Sequence, residues 1–191
     1  PYDGHHEGPD APVADAQRAV RVLRERAQRG LNGKYIVMMG FSAGGHVTAS
    51  LGTRFAEKLY PVQDSAENFS PRPDAMVLVY PVISMRDGLA HEGARTRLLG
   101  AWPDQKAIDA YSLETRVHNQ VPPTLLIHAA DDDAVPVNNS MVFFSALREH
   151  NVPVEVHFYQ KGGHGFGIRG VADLPLASWP MLVTEWLRAK T

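Results

Sequence analysis

The sequence predicts an α/β fold: a three-layer sandwich built on a mainly parallel sheet. Two observations carry that prediction. Four short apolar segments alternate with segments of helical periodicity, and such alternation implies right-handed crossovers between parallel strands. Glycine-rich and acidic stretches also follow the apolar segments directly, at the strand ends where open α/β sheets place their ligands.

The elements follow in order. Residues 1–12, "PYDGHHEGPDAP", are polar and turn-rich and read as a loop. Val13, Ala16, Val20, Leu23 and Ala27 recur at helical spacing, which predicts a helix over residues 13–28 with Gly30 as its stop. Residues 35–41 form a nearly all-apolar run, the pattern of a strand buried on both faces. Residues 43–58 have helical character. "DAMVLVYPVI" (residues 74–83) and "TLLIHAA" (residues 124–130) predict the second and third strands, and residues 84–122 between them are irregular and partly helical. Trp102, isolated in that stretch, is expected in the core, although an indole there can also stack on a sugar ring. Residues 138–150 predict a helix, residues 154–160 a fourth strand whose looser alternation suits a sheet edge, and residues 175–190 a closing helix.

Bulk properties narrow the function. At 191 residues and 44% hydrophobic content the chain suits one domain with a substantial core, over residues 1–191. Nineteen basic against 21 acidic residues leave a net charge of -2, and no Lys/Arg stripe suggests a nucleic-acid partner. Cysteine is absent, which excludes disulfides, thiolate metal sites and cysteine nucleophiles. No apolar run approaches the roughly 18 residues of a membrane span, and no signal-like segment is visible.

Three loops carry chemistry. Gly40-Phe41-Ser42-Ala43-Gly44-Gly45 matches G-x-S-x-G between a strand and a helix. A nucleophile at so sharp a turn leaves no room for Cβ atoms beside it, which accounts for Gly40 and Gly44 flanking Phe41 and Ser42. The Ala43 N–H, at a helix N-terminus, is placed to stabilise a developing oxyanion. The second loop, "ADDDAVPV", sets three carboxylates side by side. One of them can orient a histidine and stabilise its imidazolium, and composition leaves Asp131, Asp132 and Asp133 equivalent. A cation site or a solvated turn is the plainer reading of the same run. The third loop, "KGGHGFG", holds one of nine histidines. Serine needs a base to take its proton. His164 is the candidate, because glycines surround it beyond the last strand. His128 and His157 sit within strands, His46 within a helix and His150 at a helix end. His5, His6, His91 and His118 lie before the acidic loop in irregular segments. His5, His6 and Glu7 do not make a convincing metal cluster, since no second group has matching spacing. Neither metal nor cofactor is expected. The order Ser, Asp, His is the one described for α/β-hydrolases.

"GFSAGGH", "HAADDDAVPVNNS", "ALREHNVPVEVHFYQKGGHGFG" and "WPMLVTEWL" resemble bacterial α/β-hydrolase esterases of the acetyl-xylan-esterase-like group, over essentially the whole chain. "APVADAQRAVRVLRERA" and "RTRLLGAWPD…YSLETRVHNQVPPTLLIHA" fit the same group. The resemblance implies Ser42 as nucleophile, His164 as base and, three residues before the Val of Val-Pro, Asp132 as acid. It implies removal of acetyl, sometimes feruloyl, groups from plant polysaccharides or small esters. It also implies a protein that is soluble, in a secreted or periplasmic setting. Relatives carry further strands and a second oxyanion donor ahead of the point where this sequence starts. The sheet is therefore expected to be N-terminally shortened, with an apolar edge at the strand ending in Phe41. A homodimer, a segment beyond this sequence, or a minimal hydrolase with "YDGHHEG" (residues 2–8) folded over the site would each meet that need. Residues 84–122 are expected to shape the pocket as a partial lid. Two rival readings keep the triad: a prolyl-oligopeptidase-like peptidase, and a non-catalytic fragment or binding module.

Overall fold

A computed structural model describes residues 8–30 and 33–190. The strands β1 (Val37–Phe41), β2 (Ala75–Val79), β3 (Thr124–Ala129) and β4 (Val154–Tyr159) lie side by side in chain order, all parallel. Helix α1 (Ala11–Gln28) precedes β1, and α2 (Ala43–Arg54) crosses from β1 to β2. Helices α3 (Glu92–Leu99) and α4 (Gln105–Tyr111) lie between β2 and β3, α5 (Asn138–Glu149) crosses to β4, and α6 (Trp179–Arg188) closes the chain.

Side-chain alternation along the central strands divides the core in two. Val77 and Val79 of β2, with Leu125 and Ile127 of β3, face Trp179, Val183 and Trp186 of α6. Met76, Leu78 and Leu126 point the other way, against Phe143 and Leu147 of α5. Helices therefore cover both faces, and every residue of β2 and β3 is buried, as a doubly covered parallel strand requires. Each such large apolar side chain taken from water contributes about 1.5–3 kcal/mol. On the α5 side, α1 packs on α2 through Ala16, Val20 and Leu51, with Ile36 and Met38 beside them. No helix of the described residues is long and apolar enough to cross a membrane.

β1 and β4 form the two edges of this sheet. β4 mixes exposed and half-buried positions, as its looser alternation predicts. β1 leaves Met39 and Phe41 at 37% and 38% exposure, so its edge is apolar and partly open among the described residues. Residues 1–7, which include His5, His6, Glu7 and most of the "YDGHHEG" segment, lie outside the described residues.

Three local expectations are corrected. β2 ends at Val79, not at residue 83, because Tyr80 turns to φ 39° and Pro81 has no N–H for the ladder. Helix α2 ends at Arg54, not at residue 58. There the Glu57 N–H closes a turn on the Arg54 carbonyl, and the Arg54 guanidinium binds Asp10 and Glu57. Trp102 is not in the core: it is 96% exposed. It follows Gly100, whose φ of 86° turns the chain outward after α3, a helix with no buried residue.

Candidate active site

The three loops meet at the carboxyl ends of β1, β3 and β4. Ser42 joins β1 to α2 with φ 51° and ψ -121°, a conformation that costs a non-glycine residue about 1–3 kcal/mol. Neighbouring hydrogen bonds hold it there: the Ser42 N–H donates to Val79 O (3.1 Å), and its carbonyl accepts from the N–H groups of Gly45 (2.9 Å) and Val82 (3.1 Å). Crowding explains two of the nearby glycines. A Cβ on Gly40 would stand 2.2 Å from Gly44 O, and one on Gly45 would stand 2.6 Å from Pro81 Cβ. Gly44 is different, since a Cβ there meets nothing within 4 Å. The steric demand assigned to Gly44 from the sequence therefore falls on Gly45. Gly44 instead begins the exposed first turn of α2, where its side would face open space.

Ser42 Oγ lies 2.8 Å from His164 Nε2, and His164 Nδ1 lies 2.8 Å from Asp132 Oδ2. In this arrangement a hydroxyl faces a ring nitrogen that can take its proton, and a carboxylate faces the other ring nitrogen and can orient the ring. Asp132 is buried to 0% at its side chain, while His164 keeps 23% exposure. Asp132 Oδ1 accepts the N–H groups of Ala134 (3.0 Å) and Val135 (2.8 Å). Burial works to raise the Asp132 carboxyl, but the bonds from Val135, His164 and Ala134 outweigh it and hold its pKa below the ordinary value. The geometry thus separates three carboxylates that composition left equivalent. Asp131 is exposed and accepts the Gly163 N–H at 2.8 Å, with Lys161 Nζ at 3.7 Å, so it ties down the loop that carries His164. Asp133 is exposed.

Aromatic packing sets the histidine from behind. The Tyr80 ring meets His164 edge-on with centroids 5.0 Å apart, and Phe166 packs on Tyr80 at 4.6 Å. Trp179 of α6 donates its indole N–H to Gly167 O at 2.8 Å, which fastens the end of the same loop. The turn itself uses Gly163, Gly165 and Gly167 at φ 64°, 69° and 50°, where side chains with a Cβ are disfavoured.

A cleft of about 440 Å³ opens in front of Ser42 and Ala43. Val47, Val82, Met85 and Leu98 give it an apolar lining, with His46, His91 and Arg97 as polar groups. Part of that wall comes from α3. Ala43 N–H, in the first turn of α2, has no intrahelical acceptor, and Ala43 lines the cleft. Asn139 holds the cleft wall to α5: its Oδ1 accepts the N–H groups of Ile83 (2.9 Å) and Ser84 (3.0 Å), and its Nδ2 donates to Leu89 O (2.7 Å). Burial drives His46 down to about 4, so its ring is neutral; Nε2 sits 3.0 Å from Tyr111 O. Among the described residues no group of three His, Asp or Glu side chains is arranged to hold a metal ion.

Sequence reasoning passed over Tyr80, Asn139 and His128. The last is the most consequential, because its Nε2 lies 3.1 Å from the same Asp132 Oδ2 that meets His164. Its signal was present as a histidine four residues before the acid, at the end of a strand otherwise apolar.

Comparison with known proteins adds to this geometry. The sequence model of the BD-FAE family matches residues 5–147, a span that includes Ser42 and Asp132 and stops before His164. The chain is 38% identical over 161 residues to endo-1,4-beta-xylanase B of Butyrivibrio fibrisolvens, covering 82% of this chain and 25% of that protein. It is 33% identical over 161 residues to an acetylxylan esterase of Xylanibacter ruminicola, covering 82% of this chain and 31% of that protein. The chain thus spans between a quarter and a third of these relatives. The crystal structure of an acetyl ester-xyloside bifunctional hydrolase from Caldicellulosiruptor lactoaceticus superposes with a TM-score of 0.87 at 38% identity, over 97% of this chain and 68% of that one.

Proposed function

The chain belongs to the BD-FAE family and has an α/β-hydrolase fold, and from that premise we propose that it is a serine ester hydrolase of short acyl esters, acetate first among them. The observation that carries the reading is the continuous chain Ser42–His164–Asp132, with both links at 2.8 Å, at the mouth of an apolar cleft. Ser42 Oγ attacks the ester carbonyl carbon as His164 Nε2 takes its proton. The Ala43 N–H faces the oxygen that becomes negative. His164, now an imidazolium held by Asp132, gives the proton to the alkoxide, and the alcohol leaves. Water then adds to the acyl-enzyme with His164 again as base, the Ser42 ester bond breaks, and the acid departs.

The alcohol half is proposed to be an acetylated xylan-type carbohydrate. Support comes from the similarity to proteins named acetylxylan esterase and acetyl ester-xyloside hydrolase. The α3 wall, through Ala94 and Leu98, is proposed to shape the pocket. The test is hydrolysis of an activated acetyl ester and acetate release from acetylated xylan, by this chain and by Ser42→Ala. Activity in the parent that disappears in the variant is the expected result. Equal rates in both would remove Ser42 from the mechanism.

A further inference from the structure

We propose that His128 is a positioning residue: backed by Ser140, it fixes the one oxygen of Asp132 that orients His164. The proposal rests on the esterase reading above, in which Asp132 holds the base. His128 lies in β3 with its side chain at 0% exposure, and both ring nitrogens are engaged. Nε2 faces Asp132 Oδ2 and Val135 O, each at 3.1 Å, and Nδ1 faces Ser140 Oγ at 2.8 Å.

These partners select one tautomer. An ionised carboxylate and a carbonyl only accept, so Nε2 carries the proton and donates to both. Nδ1 is then the acceptor and takes the Ser140 hydroxyl proton. The other tautomer would set the Nε2 lone pair against two acceptors in a buried site, where unpaired polar groups are costly. Burial also holds the ring below its ordinary pKa, against the pull of Asp132, which keeps it neutral.

The division of labour on the carboxylate gives this bond its importance. Two oxygens offer about four lone-pair sites, and four donors meet them here. The backbone serves Oδ1 through Ala134 and Val135. Among the described residues Oδ2, the oxygen that touches His164, receives no backbone bond; its other donor there is His128. His128 therefore anchors Oδ2 independently of the base it serves. It also draws electron density from that oxygen, so that the proton between Oδ2 and His164 Nδ1 stays on nitrogen. Because Val135 O shares the same N–H, one ring fastens both the acid and its loop to β3. The result is a line from Ser140 through His128, Asp132 and His164 to Ser42.

His128→Gln and His128→Phe separate positioning from packing. Glutamine presents an amide N–H where Nε2–H stood, whereas phenylalanine fills the ring's place with no donor. The readouts are kcat and KM on an activated acetyl ester, and the far-downfield proton resonance of His164 Nδ1–H. We expect kcat of the Phe variant to fall about 10–100-fold with KM little changed, by analogy with other groups that orient a ligand from behind. The Gln variant should keep most of the rate, and the resonance should persist in Gln and move or vanish in Phe. Parental kcat and an unmoved resonance in the Phe variant would overturn the proposal. So would equal losses in Gln and Phe that follow thermal stability alone. Should the Phe variant not fold, Ser140→Ala, which removes the hydroxyl that backs Nδ1 and frees the ring to shift away from Asp132 Oδ2, is read by the same resonance; no change there would also overturn it. Failure of the esterase reading is recognised separately, as turnover that survives Ser42→Ala, and the resonance still reports on Asp132 in that case.

Discussion

Placing alanine at Gly40 is expected to damage both stability and turnover, whereas alanine at Gly44, four residues on, should be tolerated by the fold. The added Cβ at Gly40 would lie 2.2 Å from Gly44 O, 2.4 Å from Thr48 Oγ1 and 2.6 Å from Gly44 C. Two of those atoms are backbone in the first turn of α2, and the third is held by its own bond to Gly44 O at 3.0 Å. Real Cβ atoms essentially never approach below 3.0 Å, so β1 and α2 must separate by about 0.8 Å. Overpacking of this kind costs about 2 kcal/mol, which for a chain of this length lowers Tm by about 4–8 °C. Ser42 is the hinge between the two elements, with its Oγ 2.8 Å from His164 Nε2. Misplacement on the order of 1 Å costs about 100-fold in rate, so kcat should drop by roughly that factor. A Cβ at Gly44 meets open space, and glycine to alanine in a helix adds about 0.5–1 kcal/mol. Thermal unfolding of both variants, with acetyl-ester kinetics on Gly40→Ala, checks the pair. The steric reasoning is refuted by a Gly40→Ala protein with parental Tm and rate, or by a Gly44→Ala protein that loses as much stability.

Other perturbations probe other parts. His46 has a folded pKa of about 4, depressed by burial, against about 6.5 unfolded. Below pH 6.5 the unfolded chain takes a proton that the folded chain refuses, so stability is full above that pH and falls by about 1.4 kcal/mol per unit down to pH 4. Urea unfolding from pH 7 to 5 should show this slope, and His46→Gln should flatten it; an unchanged slope assigns the effect elsewhere. Arg54, at 8% side-chain exposure, bridges Asp10 and Glu57 at 2.7 Å each, and Arg54→Met should cost about 2 kcal/mol, since its partners stay partly solvated. A loss below about 0.5 kcal/mol in urea unfolding would place that network among ordinary surface pairs. Trp102→Ala should leave Tm within about 2 °C, because an exposed side chain away from special features contributes little; a larger fall would mean that the indole is packed in solution.

Much of the architecture was legible because it is written locally. Alternation of apolar runs with helical periodicity marked every strand and the long helices, and glycine clusters marked the turns at Ser42 and His164. What resisted reading depends on partners distant in the chain. β2 ends where Tyr80 turns between Phe41, His164 and Phe166, and no pattern within "VLVYPVI" announces those neighbours. Composition could not choose among Asp131, Asp132 and Asp133, because the choice is made by which carboxylate the β3–α5 turn points inward. His128 looked like a strand residue, and its bond to Asp132 exists only because the chain curls back four residues later. Gly44 and Gly45 are identical in sequence terms; Pro81, brought alongside by β2, makes one indispensable and leaves the other free.

The marginal place of β1 has a mechanical meaning. Within the described residues the strand is hydrogen-bonded to a neighbour on the β2 side, so in this sheet a zipper that opens from Val37 meets modest resistance at first. At Ser42 it meets three fastenings, to Val79, Gly45 and Val82, none of which involves the outer side of β1. Amide exchange should therefore slow along the strand toward the serine. The rim of the sheet can breathe while the corner at Ser42 keeps its shape, and the two are free to diverge under mutation.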